Sequence, residues 1–271
     1  WCTLFKSCTQ KEECSKADVH PLRFVTSLSK CLQIASIKPD KIPLGANVNI
    51  TLNVTNLPWQ ENDSYKCYIH GKERPTHKLR DGRLACETPP SDQLPTITSE
   101  TGDVYVDLGL YSTESKKVFV SKQVGFYSCS AMKGCQNCAE AGYRCNWCTY
   151  RGICTNDVNT ECPGEFIPPI QDRTAGSKGC PRLKSHTTLH IPVGINTNIT
   201  LPAYDLPATK SGASYKCTVE VGGKKQPAGA VRVSDTQLVC SPTKYSYDAD
   251  MKKQAVKLTV TFRNSDQLFV P

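Results

Sequence analysis

Hydrophobic and polar residues alternate one by one along several stretches of the chain. This period of two predicts β-strands with one buried face, whose apolar positions are Val48, Ile50, Leu52 and Val54, then Val104, Val106, Leu108 and Leu110, then Ile195, Thr197, Ile199 and Leu201, and finally Val256, Leu258, Val260 and Phe262. Turn signals such as Asp81-Gly82 and Gly222-Gly223 lie between the strands, and no convincing apolar run has helical spacing. The pattern predicts all-β modules of the β-sandwich type.

Short motifs recur at an offset of about 150 residues, which indicates an internal repeat. The recurring pairs are Pro43-Leu-Gly45 and Pro192-Val-Gly194, Asn49-Ile-Thr-Leu52 and Asn198-Ile-Thr-Leu201, Leu57-Pro58 and Leu206-Pro207, and Ser64-Tyr-Lys-Cys67 and Ser214-Tyr-Lys-Cys217. Each copy also holds an isolated pair of cysteines in a strand-like context. We predict that Cys67 bonds to Cys86 and that Cys217 bonds to Cys240, each pair bridging two strands.

Half of the sixteen cysteines lie in one short segment: Cys129, Cys135, Cys138, Cys145, Cys148, Cys154, Cys162 and Cys180. Such a segment buries too little apolar surface to fold on a hydrophobic core alone. Paired CxxC motifs also bind zinc, but zinc ribbons separate their pairs by roughly 15 to 20 residues. Here only six residues separate the pairs. We therefore interpret the segment as a disulfide knot rather than a zinc site.

The beginning of the chain repeats part of this cysteine pattern. Trp1-Cys2, Cys8, Cys14 and Cys31 correspond to Trp147-Cys148, Cys154, Cys162 and Cys180. The first copy lacks the front half of the pattern, so we expect the sequence to start inside a domain and to be part of something longer.

The cysteine count and the sequons together predict an extracellular glycoprotein. Asn-X-Ser/Thr tripeptides occur at Asn49, Asn53, Asn62 and Asn198. In the predicted strands Asn49, Asn53 and Asn198 lie opposite the apolar face, which leaves room for attached glycans. No apolar run is long enough to span a membrane.

The net charge of +8 is modest for 271 residues. Basic residues cluster from Lys72 to Arg83 and at Lys224-Lys225, without the interleaved aromatic residues that stack on bases, so nucleic acid is not the expected partner. We interpret both clusters as solvated loop faces. The alternative is a module that binds a sulfated glycan or an acidic protein through these basic loops.

No motif in the sequence predicts an enzyme, a cofactor or a metal centre. The five histidines are scattered along the chain, at His20, His70, His77, His186 and His190. Hydrolase, metalloprotease and phosphate-binding motifs do not occur. Knot cysteines held in disulfides are unavailable as nucleophiles, so no catalytic residues are predicted.

The cysteine motifs and their order resemble a known receptor family. Phe126-Tyr-Ser-Cys129, Cys135-x-x-Cys138, Cys145-Asn-Trp-Cys148 and Cys154 resemble the PSI domain. The sandwiches with their paired cysteines resemble the immunoglobulin-like IPT/TIG domain, and the alternation of the two is similar to the plexin receptors. The resemblance implies the C-terminal part of a PSI domain at 1–34, an IPT/TIG domain at 35–127, a PSI domain at 128–181 and an IPT/TIG domain at 182–271.

The resemblance also implies roles for individual residues. Its disulfide pattern pairs Cys129 with Cys145, Cys135 with Cys180, Cys138 with Cys154, Cys148 with Cys162, and Cys2 with Cys14. The family partners of Cys8 and Cys31 would lie upstream. Trp147 and Trp1 are expected to pack against the disulfides as the small core of each knot.

The function that the resemblance implies is that of an extracellular stalk. Plexins are single-pass plasma-membrane receptors for semaphorins in axon guidance and cell migration. Semaphorin is expected to contact a head domain outside this segment, while the stalk acts as a semi-rigid spacer that positions the head. Contributions to autoinhibition and to self-association of the receptor ectodomain are further expectations.

Overall fold

The computed structural model describes residues 1–58, 65–97, 102–162, 164–176, 178–184, 189–210, 213–246, 252–263 and 267–269. The chain divides into two compact units, Trp1–Ser128 and Cys129–Pro271. Each unit holds one cysteine-rich segment, followed by one β-sandwich. The predicted all-β fold class is confirmed.

Nine strands are described in the first unit, all of them in the sandwich. They are β1 (Gln33–Lys38), β2 (Lys41–Pro43), β3 (Asn49–Thr55), β4 (Tyr65–Ile69), β5 (Lys72–Arg74), β6 (Thr76–Lys78), β7 (Leu84–Glu87), β8 (Asp103–Ser112) and β9 (Lys117–Tyr127). One sheet has the order β1-β3-β7-β6 and the other β2-β9-β8-β4-β5. The predicted apolar positions Ile50, Leu52, Val106, Leu108 and Leu110 are buried in the core between the sheets.

The second unit begins with the second knot, which contains a three-stranded sheet and two short helices. These are α1 (Cys135–Glu140), β10 (Asn146–Cys148), β11 (Ile153–Thr155), α2 (Val158–Glu161) and β12 (Phe166–Ile167), with the sheet order β11-β10-β12. Five 3-10 helices also occur among the described residues, at Lys11–Glu13, Leu28–Lys30, Ser91–Gln93, Cys129–Ala131 and Ile170–Asp172. No helix in the described part of the chain has the length and apolar character needed to cross a membrane.

The second sandwich follows the knot with seven described strands. They are β13 (Arg182–Leu183), β14 (Asn196–Tyr204), β15 (Ser214–Val221), β16 (Lys224–Ser234), β17 (Gln237–Lys244), β18 (Lys257–Arg263) and β19 (Gln267–Phe269). They hydrogen-bond in the order β13-β14-β17-β16-β15-β18-β19. Ile199, Leu201 and Val260 lie in the core, as the alternation predicts.

Three details of the predicted secondary structure are wrong. Ile195 does not belong to the buried face, because it precedes β14 and is 60% exposed, and a register shift between Thr197 and Ile199 breaks the alternation. Val256 precedes β18 and is 39% exposed. The helices α1 and α2 were not predicted, because the buried positions in α1 are Cys138 and Ala139 rather than a stripe of large apolar residues.

In each sandwich the chain crosses between two groups of strands next to the sandwich disulfide, and in the second sandwich the crossing strand is β16. Strand β16 pairs with β15 up to Ala230 and with β17 from Ala230 onwards. In the first sandwich β5 and β6 take these two roles, and they are separated by Pro75, which has no N–H to donate to a ladder. Cys217 and Cys240 are register partners of Ala228 and Ala230, and Cys67 and Cys86 are register partners of Arg74 and Thr76. The Cys67–Cys86 disulfide therefore joins the two sheets of the first sandwich, and the Cys217–Cys240 disulfide joins β15 and β17 on either side of the crossing strand β16.

Candidate functional site: the junctions between knots and sandwiches

Four disulfides hold the second knot together: Cys129–Cys145, Cys135–Cys180, Cys138–Cys154 and Cys148–Cys162. These are the same pairs that the family resemblance implies. The sulfur atoms of Cys129, Cys145 and Cys154 lie within 4.8 Å of one another, and no other group of potential metal ligands comes this close among the described residues. Each of these sulfurs is already bonded to another sulfur, so none is a thiolate that could ligate a metal.

The two tryptophans of the knots have different environments. Trp147 is 3% exposed and lies in the central strand β10, where its register partners are Cys154 on β11 and Ile167 on β12. Trp1 is 43% exposed, so the prediction that it forms the core of the first knot is wrong. Its neighbour Cys2 makes isolated bridges to Ser7 and Phe24 and belongs to no named strand, whereas Trp147 lies in the middle of a sheet.

Half of the expected cysteine framework is present in the first knot. Cys2 bonds to Cys14, whereas Cys8 is free and exposed and Cys31 is free and half-buried. Cys8 and Cys31 are therefore not bonded to each other. Their pairing with upstream cysteines stays a prediction.

One residue of each knot packs in or against the core of the sandwich that follows it. Leu4 and Tyr150 each stand three positions after the knot tryptophan, in Trp1-Cys-Thr-Leu4 and Trp147-Cys-Thr-Tyr150. Leu4 is 2% exposed and belongs to the core of the first sandwich. Tyr150 packs against the core of the second sandwich. We call these two the anchor residues, since each transfers apolar surface of a knot into a sandwich core.

Tyr150 makes three contacts with the second sandwich. Its ring lies 6.1 Å from the ring of Phe262, which in turn lies 4.7 Å from the ring of Tyr215. Its hydroxyl donates to the carbonyl of Ala208 at 3.2 Å. The ammonium of Lys210 lies 4.5 Å from the ring centroid, on the ring face that attracts cations. The tyrosine is thus held by packing, by a hydrogen bond and by a charge.

A second attachment repeats in both units at the residue that precedes the Leu-Pro motif. Asn56 donates from Nδ2 to the carbonyls of Ser29 and Cys31, at 3.1 and 3.0 Å. Asp205 accepts from the backbone N–H of Gly179 at 3.1 Å, beside Cys180. Both residues have positive φ, 59° and 51°, a conformation that Asn and Asp adopt more readily than most residues. We call them the bridging residues, because each ties its sandwich to the last cysteine of the preceding knot.

The repeated Leu-Pro motif also receives a tyrosine hydroxyl in each sandwich. Tyr65 donates to the carbonyl of Pro58, and Tyr215 donates to the carbonyl of Pro207 at 2.7 Å. Burial raises the pKa of the Tyr215 phenol, which keeps the hydroxyl protonated as a donor. The hydroxyl of Tyr215 therefore fixes the loop that carries Asp205.

An acidic side chain makes a further attachment in the first unit. The Glu114 carboxylate, in the turn between β8 and β9, accepts from Ser15 at 3.2 Å, from Lys16 at 3.1 Å and from Arg23 at 2.9 Å. Burial alone raises the pKa of this carboxyl, but the hydrogen bonds and charges of Arg23 and Lys16 outweigh burial and hold the pKa below its usual value. Glu114 therefore stays ionised and binds three residues of the first knot.

The basic clusters lie on strands and a tight turn rather than on loops alone. Lys72 and Arg74 belong to β5, and Lys224-Lys225 begins β16. Within the first cluster Arg83 pairs with Asp81 at 2.5 Å, and Lys66 on the neighbouring strand pairs with Glu73 at 2.7 Å. Acidic partners therefore interrupt the positive surface, which disfavours a dedicated polyanion site.

The described sequons lie on exposed strand positions. Asn49 and Asn53 are exposed on β3, and Asn198 is exposed on β14. Asn62 and His186 lie outside the described residues. Glycan attachment itself stays a prediction.

Sequence reasoning missed both the anchor and the bridging residues. The signal was present in the repeat, since Leu4 and Tyr150 share a position and so do Asn56 and Asp205. Neither pair is identical in residue type, so a comparison of the two copies that looked for identical residues did not find them. What repeats at these sites is a physical role: an apolar contact in one case and a polar side chain on a left-handed backbone in the other.

Comparison with known proteins identifies the family. The TIG_plexin family model (TIG domain) matches residues 38–127, and the TIG_2 model (TIG domain found in plexin) matches residues 187–269. Plexin A3 of Danio rerio is 32% identical over 253 residues, which is 92% of this chain and 13% of that protein. The chain belongs to the plexin family.

Two further plexins agree with this assignment. Plexin-A4 of Mus musculus is 31% identical over 266 residues, which is 97% of this chain and 14% of that protein. The solved plexin A4 full extracellular region, domains 1 to 8, matches with a TM-score of 0.82 and 28% identity, covering 100% of this chain and 27% of that one. The chain therefore corresponds to part of a plexin extracellular region and spans about one seventh of the length of the plexins that it matches.

Proposed function

We propose that this chain is a semi-rigid spacer in the extracellular stalk of a plexin-type receptor for semaphorins. Its modules are the C-terminal part of a PSI domain at 1–34, an IPT/TIG domain at 35–127, a PSI domain at 128–181 and an IPT/TIG domain at 182–271. In this proposal semaphorin binds a head domain of the full single-pass receptor, and the spacer sets the position of that head relative to the plasma membrane. The contribution of this segment is mechanical and not catalytic.

The observation that carries the proposal is the repeated attachment of each knot to its own sandwich. Both units use an anchor residue that packs in or against the sandwich core and a bridging residue that bonds at or beside the last knot cysteine. A knot that pivoted away from its sandwich would expose the anchor and break the bridging hydrogen bonds. Flexible linkers built from Gly and Ser have no such contacts, so a fixed knot–sandwich angle distinguishes a spacer from modules joined by loose connections.

The strength of the anchors can be bounded. Replacing a buried leucine by alanine costs about 2–5 kcal/mol, and Leu4 is 2% exposed. A typical hydrogen bond contributes about 0.5–1.5 kcal/mol more. Detaching a knot is therefore comparable in cost to a large part of the stability of a domain, about 5–15 kcal/mol, and the junction stays closed under ordinary conditions.

A fixed angle also gives the stalk a way to restrain signalling. We propose that geometry set by the junctions helps to keep the unliganded receptor inactive, and that ectodomain self-association depends on the same geometry. In a migrating cell or a growing axon, semaphorin binding at the head would then change an arrangement of the ectodomain that the junctions set in the unliganded receptor.

The test uses anchor variants in the full receptor, with exposed residues of the same type as controls. Leu4→Ala is compared with Leu28→Ala, since Leu28 is 87% exposed, and Tyr150→Ala with Tyr105→Ala, since Tyr105 is 52% exposed. Basal activity, semaphorin response and semaphorin affinity are measured for each. Residual dipolar couplings of the isolated chain report whether knot and sandwich still tumble with one orientation.

The spacer proposal expects the anchor variants to loosen the knot–sandwich orientation and to change basal activity or response, with affinity for semaphorin unchanged. The control variants should behave as wild type in every measurement. A loosened orientation with normal basal activity and response would contradict the role of geometry in signalling. A loss of semaphorin affinity would place ligand contacts in this segment and contradict the spacer role.

A further inference from the structure

A cavity of about 500 Å³ lies in the second sandwich, away from the residues that form the knot–sandwich junction. Its aliphatic walls come from β15 and from the segments that precede β14 and β18: Ile191, Val193, Val219, Val221 and Val256. Val219 and Val221 are buried, whereas Val193 and Val256 are 45% and 39% exposed at the opening. The volume and the apolar walls are those of small-ligand pockets.

The wall of this cavity contains a hydrogen-bond donor that is not used. Tyr245 is 4% exposed, and its hydroxyl is buried without a hydrogen-bond partner among the described residues. Two other buried tyrosines, Tyr65 and Tyr215, donate their hydroxyls to proline carbonyls. A buried hydroxyl without an acceptor is costly, and native structures rarely keep one. An acceptor supplied by a ligand would remove that cost.

Among the described residues that line the cavity, three have basic side chains and none has an acidic one. The basic residues are His190, Lys252 and Lys253, and each is exposed. A lysine ammonium sits on a flexible four-carbon stem, so Lys252 and Lys253 can turn towards a negative group at the opening. Apolar walls, a hydroxyl donor and ammonium groups together favour a ligand that has an aliphatic body and one anionic acceptor group.

We propose that this cavity binds one fatty acid, a single-chain aliphatic carboxylate. The alkyl chain lies against the valine and isoleucine walls. The carboxylate accepts a hydrogen bond from the Tyr245 hydroxyl and is paired by Lys252 or Lys253. This site is independent of the spacer function, because its lining residues include neither an anchor nor a bridging residue.

The first experiment is a calorimetric titration of the whole chain with octanoate, decanoate and dodecanoate. Each methylene buried against the walls should tighten binding about fourfold until the cavity is full. Decanol, which lacks the charge, and decyltrimethylammonium, which reverses it, should bind at least about tenfold more weakly than decanoate. Equal binding of decanoate and decyltrimethylammonium overturns the proposal.

Variants test the individual groups. Tyr245→Phe keeps the ring and should weaken decanoate binding about tenfold, the effect of losing one hydrogen bond to a charged group. Lys252→Gln with Lys253→Gln should weaken it further, whereas the matched pair Lys116→Gln with Lys117→Gln, which does not line the cavity, should leave it unchanged. Val256→Trp fills the opening from an exposed position and should abolish binding.

Thermal unfolding of every variant checks that the second sandwich is folded. Wild-type affinity for decanoate in folded Tyr245→Phe, or in the folded double variant of Lys252 and Lys253, overturns the proposal that these side chains bind the carboxylate. Binding of an acidic, leucine-containing peptide in place of decanoate would assign the cavity to a protein partner and overturn the fatty-acid proposal.

Discussion

Arg23 and Glu114 form an ion pair across 91 residues of sequence, with Nη1 of the arginine 2.9 Å from Oε2 of the glutamate. The arginine side chain is 1% exposed and the glutamate side chain 23% exposed. A charge buried to this degree needs a partner, because its desolvation is not recovered otherwise. The pair thus adds a charged contact between the first knot and its sandwich to those of Leu4 and Asn56.

Glu114→Gln should lower the free energy of unfolding of the first unit by about 1–3 kcal/mol at pH 7, because it removes the negative charge that pairs with the buried Arg23 guanidinium. The folded-state pKa of Glu114 lies below its ordinary value of 4.5. Its stabilisation is therefore present above about pH 4.5 and is lost as the pH falls through the folded pKa. Denaturant unfolding of wild type and variant between pH 3 and 7 measures the difference.

The control for this prediction is Glu73→Gln, which removes an ion pair whose side chains are 44% and 43% exposed. It should lower the free energy of unfolding much less than Glu114→Gln does, because water screens an exposed pair. Parallel stability curves for wild type and Glu114→Gln down to pH 3 would show that the carboxylate does not stabilise the junction.

Substitutions at Asn56 separate its backbone role from its hydrogen bonds. Asn56→Gly keeps the positive φ of 59° and loses only the bonds to Ser29 and Cys31, so it should cost about 1–2 kcal/mol. Asn56→Ala should cost roughly 1 kcal/mol more, because alanine is strained in the left-handed region. Thermal unfolding of the three proteins gives the order, and an alanine variant as stable as the glycine variant would contradict it.

The second knot should depend on disulfides and not on a metal. Cys148→Ala with Cys162→Ala opens a loop with a sequence separation of 14 and should cost about 3 kcal/mol in the chain-entropy account. A chelator should leave the melting temperature unchanged, whereas a thiol reductant should lower it. Unfolding of the oxidised protein by the chelator would contradict the disulfide assignment.

Two strand glycines should respond differently to alanine. A Cβ at Gly109 on β8 would lie 2.5 Å from a methyl group of Val118 and 2.9 Å from the carbonyl oxygen of Val120, whereas a Cβ at Gly229 on β16 would meet only the Ser241 hydroxyl at 3.2 Å. Gly109→Ala should therefore destabilise by about 1–3 kcal/mol. Gly229→Ala should be nearly neutral, and comparable melting temperatures for the two would contradict the steric argument.

Glycan attachment should follow the exposure of the sequons. Protein secreted from a glycosylating cell should carry glycans at Asn49, Asn53 and Asn198, with Asn49 and Asn53 about 13 Å apart along β3 at roughly 3.3 Å per residue. Mass spectrometry of peptides from single Asn→Gln variants measures each site. Absence of glycan at Asn198, which has no neighbouring sequon to crowd it, would contradict the exposure argument.

The sequence predicted the features that depend on local pattern. Ile50 and Leu52 are buried because a period of two places them on one face of β3, and the equivalent face of β14 could be predicted from Ile199 onwards. The pairing of Cys67 with Cys86 could also be predicted, since each copy offers one isolated pair. These features need only neighbouring residues and the repeat.

The junctions could not be predicted in the same way, because they depend on contacts across long separations. Nothing near Glu114 in the sequence indicates that Arg23 lies against it. Tyr150 gives no local sign that its ring would lie on Phe262, and the exposure of Trp1 contradicts the local analogy with Trp147. A repeat shows which positions are equivalent, but surroundings decide whether equivalent residues are buried.

The disulfide beside the crossing strand has a consequence for a protein under tension. Cys217 and Cys240 are 23 residues apart in sequence, yet their Cα atoms lie 5.8 Å apart. A tensile load on the chain passes through the sulfur bridge, so about 75 Å of contour at roughly 3.3 Å per residue cannot be drawn out. The bond between Cys67 and Cys86 acts in the same way over a sequence separation of 19, so even when its strands are pulled apart each sandwich extends less far, by the length of its bridged loop.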